Sequence, residues 1–244
     1  MPAGTELAAL TWPEAAQQAT ALLAVPVGST EQHGPHLPLS TDTDVAVALC
    51  AGLAAAEPGV LAAPPVCYGA SGEHQDFAGT LSIGTSALEL LLVELCRSAT
   101  RTFSRVLLVS AHGGNAAAVR RAERALRAES WDVRAWQPAA AGDAHAGRTE
   151  TSLQLALAPD RVRGGRAAAG NTRPLAELMP GLRRAGVRAV SPSGVLGDPA
   201  GASAAEGEAL LARLLAELAA FVAGWHAPGA GAGPAAVPGA RLDA

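Results

Sequence analysis

The chain has 244 residues, of which 49% are hydrophobic and 16% are charged, so it can bury a sizeable core and is not a disordered protein. Its formal net charge of −4 at pH 7 argues against a nucleic-acid-binding protein, which would carry a basic excess. No apolar run reaches the roughly 18 residues of a membrane span and no signal peptide precedes the first elements, so we expect a cytoplasmic protein that does not bind a membrane.

The predicted helices and strands alternate along the chain. Capping signals and apolar stripes predict helices at residues 12–20, 45–56, 87–102, 116–129 and 153–157 and a last helix capped by Ser203. Short apolar runs predict strands at residues 22–27, 60–66, 106–109 and 131–136. Between residues 159 and 199 only a short helix at 174–179 is predicted. The alternation favours a mostly parallel sheet with helices on both faces. We expect one domain over residues 1–227 and a disordered Gly/Ala/Pro tail at 228–244.

Six residues that can bind a metal or move a proton follow the predicted strands. In an extended segment, residues i and i+2 point the same way, so Glu31 and His33 can face one point in space. Ligands of parallel α/β sheets bind at the carboxyl ends of the strands. We place all six residues in loops at that edge: Glu31, His33, Asp42, His112, His145 and Glu150.

Carboxylates and imidazoles are ligands that zinc, iron and manganese accept. Two divalent metal ions need a bridging carboxylate and terminal ligands on each side. Asp42 is the candidate bridge, with Glu31 and His112 completing one site and His33 the other. Such a pair of metals activates water and polarises a carbonyl group, as in hydrolytic metalloenzymes. His145 remains to move protons between that water and a leaving amine.

Each assignment has a simpler alternative. His112 could be a turn residue, and His145 could only bind a neighbouring loop by a hydrogen bond. Glu150 could be an acid in the first turn of its helix, stabilised by the helix dipole. Glu73 and His74 lie in a glycine-rich segment and could be either pocket residues or ordinary loop residues.

The combined motifs resemble the creatininase family of metal-dependent amidohydrolases. The match runs in order through residues 28–38, Asp42, residues 112–115, His145 and residues 150–152. The resemblance implies a three-layer α/β/α sandwich with a mostly parallel central sheet, assembled into homo-oligomers. It also implies two divalent metal ions, which could be Zn, Fe(II) or Mn, and a proton-transfer role for His145.

One position departs from the family pattern. Creatininase proper has a glutamate two residues after the histidine that matches His112, and this chain has Gly114 there. The second metal therefore loses a ligand, which argues against creatinine as the substrate. Glu150 or water could take the vacant position. Gly113 and Gly114 allow a ligand to approach the backbone closely, so we expect them to contact substrate together with Glu73 and His74.

Further motifs resemble a narrower group of this family, the creatininase-like peptidases of mycofactocin maturation. These motifs are residues 68–75, 77–80, 193–199 and 205–207. The resemblance implies cleavage of a modified precursor peptide at the bond before its C-terminal Val-Tyr pair. One alternative is a creatinine or formamide amidohydrolase of the same family. Another is a non-catalytic metal-binding protein with the same fold.

Overall fold

Four parallel strands form the centre of the computed structural model, which describes residues 5–139 and 142–226. They are β1 (Leu22–Val27), β2 (Val60–Ala62), β3 (Arg105–Ser110) and β4 (Val133–Trp136), in the order β2-β1-β3-β4. The strands β1 and β3 pair along their whole length, from Leu22 opposite Arg105 to Val27 opposite Ser110. The loops that leave these two strands therefore start side by side at one edge of the sheet.

The described residues form seven α-helices around this sheet. They are α1 (Trp12–Ala16), α2 (Thr41–Ala56), α3 (Gly84–Ala99), α4 (Ala116–Ala128), α5 (Arg148–Leu157), α6 (Leu175–Val190) and α7 (Ala204–His226). Side chains alternate along β1: Leu23 and Val25 pack with α3 and α4, whereas Leu22 and Ala24 pack with α2, α5 and α7. This arrangement confirms the predicted three-layer α/β/α fold with a parallel central sheet.

Several predicted boundaries were wrong by a few residues. The first helix ends at Ala16 rather than at residue 20, and β2 ends at Ala62 because the following Pro64 and Pro65 cannot donate ladder hydrogen bonds. Helix α3 starts at Gly84, three residues before the predicted start at residue 87. The predicted tail at 228–244 lies outside the described residues. Within the described ranges, no helix has the combination of length and hydropathy that a bilayer crossing requires.

Asp42 and Glu150 lie in the first turns of helices, not in loops as predicted. Helix α2 starts at Thr41, and α5 starts at Arg148, five residues before the predicted start. The carboxylate of Asp143 accepts a hydrogen bond from the main-chain nitrogen of Arg148, which satisfies one free donor at the start of α5. Both acidic residues are therefore held by the rigid backbone of a helix.

Helix α6 is much longer than the predicted helix at residues 174–179. Pro180, Gly181 and Gly186 argued against a long helix in the sequence. In the structure the helical path bends at Gly186, whose φ is +70° and ψ is −178°. Leu178 and Val187, on either side of the bend, pack together against Leu196. Tertiary contacts therefore stabilise a segment that local propensity disfavours.

Candidate active site

The six predicted site residues meet at the carboxyl ends of β1 and β3. The loop after β1 carries Glu31 and His33, and the loop after β3 carries His112. His145 lies in the loop before α5, and Glu150 lies in the first turn of that helix. The first turn of α2 supplies the sixth. We refer to these residues as the polar cluster: Glu31, His33, Asp42, His112, His145 and Glu150.

Glu31, Asp42 and His112 form the first group that could hold an ion. The Oε2 atom of Glu31 lies 3.1 Å from Nε2 of His112, and Oδ2 of Asp42 lies 3.2 Å from Nδ1 of the same ring. One oxygen or nitrogen of each residue lies within 4.8 Å of the others. Ligands about 2.1 Å from one ion stand at most about 4.2 Å apart, so the group needs only small shifts to hold a metal.

His33, Asp42 and Glu150 form a second group that shares Asp42 with the first. The Nε2 atom of His33 lies 3.3 Å from Oδ1 of Asp42 and 3.8 Å from Oε2 of Glu150. The two oxygens of Asp42 thus face different groups, since Oδ2 faces His112. This is the geometry of a carboxylate that bridges two metal sites.

The buried carboxylates control the charge of the neighbouring imidazoles. Burial opposes a charge on His33, but the carboxylates of Asp42 and Glu150 raise its pKa to about 10. Burial also opposes a charge on His112, whose pKa Glu31 and Asp42 raise to about 9. Burial raises the pKa of Glu31 to about 7. The cluster therefore favours positive charge at its centre, which protons or divalent cations can supply.

The polar atoms of the cluster fit a metal centre. Neither carboxylate oxygen of Glu31 has a hydrogen-bond partner, and neither does Nε2 of His33, although all three atoms are buried. A buried carboxylate without partners costs several kcal/mol. Oxygen and nitrogen donors of this kind suit zinc, iron or manganese. Divalent ions in the two groups would satisfy all three atoms.

Hydrogen-bond partners fix the tautomers of two histidines. The Nδ1 atom of His33 lies 3.2 Å from the carbonyl oxygen of Glu31. The Nε2 atom of His145 lies 2.8 Å from the carbonyl oxygen of Gln32. We assign the hydrogens to these nitrogens because a carbonyl only accepts. For His145 this assignment gives weight to the carbonyl oxygen of Gln32 over the amide nitrogen of the same residue, which lies 3.0 Å from Nε2. The lone pairs are then left on Nε2 of His33, which faces Asp42 and Glu150, and on Nδ1 of His145, 3.9 Å from Oε2 of Glu150.

The side chain of Gln32 lies between His74 and His145, a role that the sequence analysis missed. Its Oε1 accepts a hydrogen bond from the main-chain nitrogen of Gly34 at 2.9 Å, which orients the amide. Its Nε2 then donates to Nδ1 of His74 at 2.8 Å. His74 therefore carries its hydrogen on Nε2, 3.4 Å from Oε1 of Glu31. Burial, aided by His112 and His33, lowers the pKa of His74 to about 3, so this ring is neutral.

His145 is a neutral imidazole in contact with two other rings. Its ring centroid lies 4.3 Å from that of His33 and 4.4 Å from that of His74. Burial, followed by the effects of His33 and His74, keeps its pKa well below the ordinary value. A ring with so low a pKa binds a proton weakly at Nδ1 and releases it readily, which suits delivery of a proton to a leaving group. His145 also forms a group with Glu31 and His33 that could hold an ion, so the geometry allows either role.

Gly114 has no space for a side chain. A Cβ atom at this position would lie 2.4 Å from the carbonyl oxygen of Ala70, 2.4 Å from Nε2 of His112 and 2.7 Å from Oε1 of Glu73. A glutamate could not occupy this position without displacing backbone. Glu150 approaches His33 and Asp42 from helix α5 instead, so the second group obtains its carboxylate from a different element.

A cavity of about 780 Å³ opens onto the polar cluster. The four residues predicted to contact substrate all line it: Glu73, His74, Gly113 and Gly114. Asp42, His112, His145 and Glu150 also face this cavity. Its size suits a ligand larger than a single small ring. The role of these residues in substrate binding remains a prediction.

Two polar residues without a predicted role hold the cluster in place. Ser29 donates a hydrogen bond to Oδ2 of Asp42 at 2.7 Å. The side chain of Asn115 accepts from the main-chain nitrogen of Ala70 and donates to the carbonyl oxygen of Gly28. Asn115 thus joins the loops that follow three different segments. Both residues lie inside the motifs used above, but nothing in the sequence indicates which atoms they contact.

The chain is similar to known proteins in sequence and in fold. Residues 8–222 match the family model for creatininase, described as creatinine amidohydrolase. The chain is 50% identical over 225 residues to the mycofactocin precursor peptide peptidase of Mycobacterium ulcerans. This match covers 88% of this chain and 86% of that protein. It is 52% identical over 212 residues to the protein of the same name from Mycolicibacterium smegmatis, and this match covers 84% of this chain and 85% of that protein. A solved structure described as creatininase Mn superposes with a TM-score of 0.75 at 26% identity, covering 92% of this chain and 99% of that one.

Proposed function

This chain belongs to the creatininase family of hydrolases, and from that premise and the site geometry we propose that it is a metal-dependent peptidase for the mycofactocin precursor peptide. One observation carries the proposal: the two oxygens of Asp42 face the histidines of two different candidate ligand groups, Oδ1 facing His33 and Oδ2 facing His112. In our proposal Glu31, Asp42 and His112 hold one divalent ion, and His33, Asp42 and Glu150 hold the other. Bound ions of this kind activate water and polarise the carbonyl of the scissile amide.

His145 supplies the proton transfer in this proposal. Its Nδ1 has a free lone pair because Nε2 is engaged with the carbonyl oxygen of Gln32. The ring therefore accepts a proton at Nδ1 and delivers it to the amine that leaves when the peptide bond breaks. The Nε2 atom of His74 lies 3.4 Å from Oε1 of Glu31 without a hydrogen bond between them, so both oxygens of this carboxylate are available to an ion.

A peptide suits the site better than creatinine does. The cavity of about 780 Å³ has the size of sites that hold ligands well above the size of one small ring. Identity to the two peptidases is 50% and 52%, against 26% to the creatininase structure. The packing around Gly114 also excludes the glutamate of creatininase proper. We propose cleavage before the C-terminal Val-Tyr pair of the modified peptide.

The assembly and the metal ions are part of the same proposal. The ligand set supports Zn, Fe(II) or Mn. Helix α3 exposes three leucines, with Leu90 62%, Leu91 39% and Leu95 38% accessible. Neighbouring exposed leucines on one helix are typical of a protein interface, which supports a homo-oligomer. A cytoplasmic location is part of the proposal as well.

Incubation of the purified, metal-loaded protein with the modified precursor peptide tests the proposal. Mass spectrometry should detect free Val-Tyr and the shortened peptide. Creatinine and a formamide serve as alternative substrates, and both should be turned over far more slowly. If the protein hydrolyses either small amide and leaves the peptide intact, the proposal is wrong.

A further inference from the structure

Helix α6 forms one wall of the cavity that opens onto the polar cluster. Leu175, Met179 and Leu182 line the cavity, and their spacing of i, i+4 and i+7 places them on one face of the helix. Leu175 is 42% exposed. The cavity therefore has an apolar wall within the same space as the polar residues of the cluster.

Two arginines extend this wall at its C-terminal end. Arg183 and Arg184 are exposed and line the same cavity. Among the residues that the structure describes, neither guanidinium makes a hydrogen bond or an ion pair. Arg97, Arg148 and Arg173, by contrast, each pair with a glutamate. We call the five residues Leu175, Met179, Leu182, Arg183 and Arg184 the α6 wall.

The rest of the cavity is acidic. Asp42, Glu73, Asp76 and Glu150 line it, and of its described lining residues only Arg183 and Arg184 carry a charge that is positive irrespective of histidine protonation. Among the side chains of the lining, the acidic residues repel a ligand carboxylate and the α6 wall attracts it. In the metal-loaded protein the ions of the cluster are a second positive place, so the binding experiment compares the unchanged protein with a variant of the α6 wall. Guanidinium groups bind carboxylates through two parallel hydrogen bonds, which also fixes orientation.

We propose that Arg183 and Arg184 form a subsite for the free C-terminal carboxylate of a peptide, with Leu175, Met179 and Leu182 contacting the last two side chains. This inference rests on the proposed peptidase function and adds to it the basis of substrate choice. Binding of the carboxylate at the α6 wall directs the preceding amide towards the polar cluster. The protein then releases a short C-terminal fragment because the subsite accepts a chain end and not a continuing chain.

A binding experiment without turnover tests the subsite. Calorimetry of the metal-loaded protein with the dipeptide Val-Tyr and with its C-terminal amide compares ligands that differ only in the carboxylate. We expect the acid to bind about 10-fold or more tightly than the amide, because a hydrogen bond to a charged group is lost in the amide. The double variant R183Q/R184Q should bind both ligands equally. Equal binding of acid and amide by the unchanged protein would overturn the proposal, whatever the stability of the variant.

Turnover of longer peptides separates this inference from the proposed function. The precursor peptide is compared with its C-terminal amide, using the unchanged protein, R183Q/R184Q and the control Arg124→Gln. Arg124 is exposed, and it lines neither of the two cavities described by the structure. The double variant should raise KM for the acid about 10-fold and leave kcat unchanged. For the amide, KM and kcat should both stay unchanged. The control should alter neither constant for either peptide. If the double variant lowered kcat/KM equally for the acid and the amide, the proposed subsite would be wrong.

The two proposals can also fail separately. If the protein cleaves no peptide but still prefers the acid dipeptide in the calorimetric experiment, the peptidase assignment is wrong and the carboxylate subsite stands. If it cleaves acid and amide equally well, the peptidase assignment stands and the subsite is wrong.

Discussion

The polar cluster and the α6 wall face the same cavity but are built in opposite ways. The cluster is buried except for the partly exposed Glu150, and each of its side chains has another member of the cluster within 4 Å. It stands on the loops after β1 and β3 and on the first turns of two helices. The α6 wall is largely exposed, and its arginines have no partner among the described residues. The cluster presents buried polar atoms without partners, which suit a metal ion, whereas the α6 wall presents exposed guanidinium groups, which suit a charged ligand from solvent.

This difference separates chemistry from selectivity. Reacting groups must be held within a few tenths of an ångström, which requires rigid elements and satisfied supporting contacts. Recognition of a chain end requires exposed groups that lose water on binding. Substitutions in the cluster should therefore change metal content and kcat, whereas substitutions in the α6 wall should change KM alone.

Asp42→Ala should have the largest effect of any single change. Because both candidate groups share Asp42, its loss should lower the content of both ions and reduce kcat by about 10³-fold or more, the loss expected when metal stabilisation worth several kcal/mol disappears. Elemental analysis and peptide turnover measure the two effects. The control Asp44→Asn removes an ion pair with Arg161 and should leave both unchanged. Retention of one full equivalent of metal would show that Asp42 is not shared.

His145→Ala should reduce kcat by about 10²- to 10⁴-fold, the range for loss of a general acid–base residue. Metal content should stay the same, because in our proposal the free Nδ1 of this ring moves protons and binds no ion. Circular dichroism checks that the variant is folded. His145 lies in one candidate ligand group with Glu31 and His33. A fall in metal content would therefore assign it as a ligand instead.

The sequence predicted the cluster well because its signals are local. A buried strand followed by Glu31 and His33, and another followed by His112, are sufficient to place these residues at one edge of a parallel sheet. Right-handed crossovers then bring β1 and β3 together. Metal-ligand chemistry adds Asp42 as the bridge. The parallel sheet, the three layers and the family are confirmed, whereas the assignment of individual ligands stays a prediction.

The α6 wall could not be predicted because the contacts that stabilise helix α6 are not encoded in its local sequence. Pro180, Gly181 and Gly186 disfavour a long helix, and the contacts that stabilise α6 come partly from a distant part of the chain. Phe77 packs against Leu178 and Val187. Arg188 donates a hydrogen bond to the carbonyl oxygen of Asp76. The same applies within the cluster to Gln32. Its motif is evident, but its hydrogen bond to His74 depends on a loop 42 residues away.

Gly114→Ala tests how tightly the cluster is packed. Its Cβ would meet backbone and the His112 ring at 2.4 Å, so we expect the free energy of unfolding to fall by about 1–3 kcal/mol, as in other overpacked sites. Metal affinity should fall as well. Gly113→Ala is a matched control, because a Cβ there has no atom within 4 Å. Denaturant titration of both variants measures the difference, and equal stabilities would mean that the cluster tolerates movement of the Ala70 backbone.

Leu175→Ser should have the smallest effect and should appear only in substrate binding. Leu175 lines the cavity and is 42% exposed, so its replacement should change the free energy of unfolding by no more than about 0.5 kcal/mol. Loss of its contact with the substrate should raise KM for the peptide about 3- to 10-fold, since one apolar contact contributes about 1 kcal/mol. The value of kcat and the metal content should not change, and Leu175→Met should restore KM because it retains an apolar side chain of similar volume. A change in kcat with unaltered KM would show that α6 acts on the reaction itself, and the division between a reactive cluster and a selective wall would then be wrong.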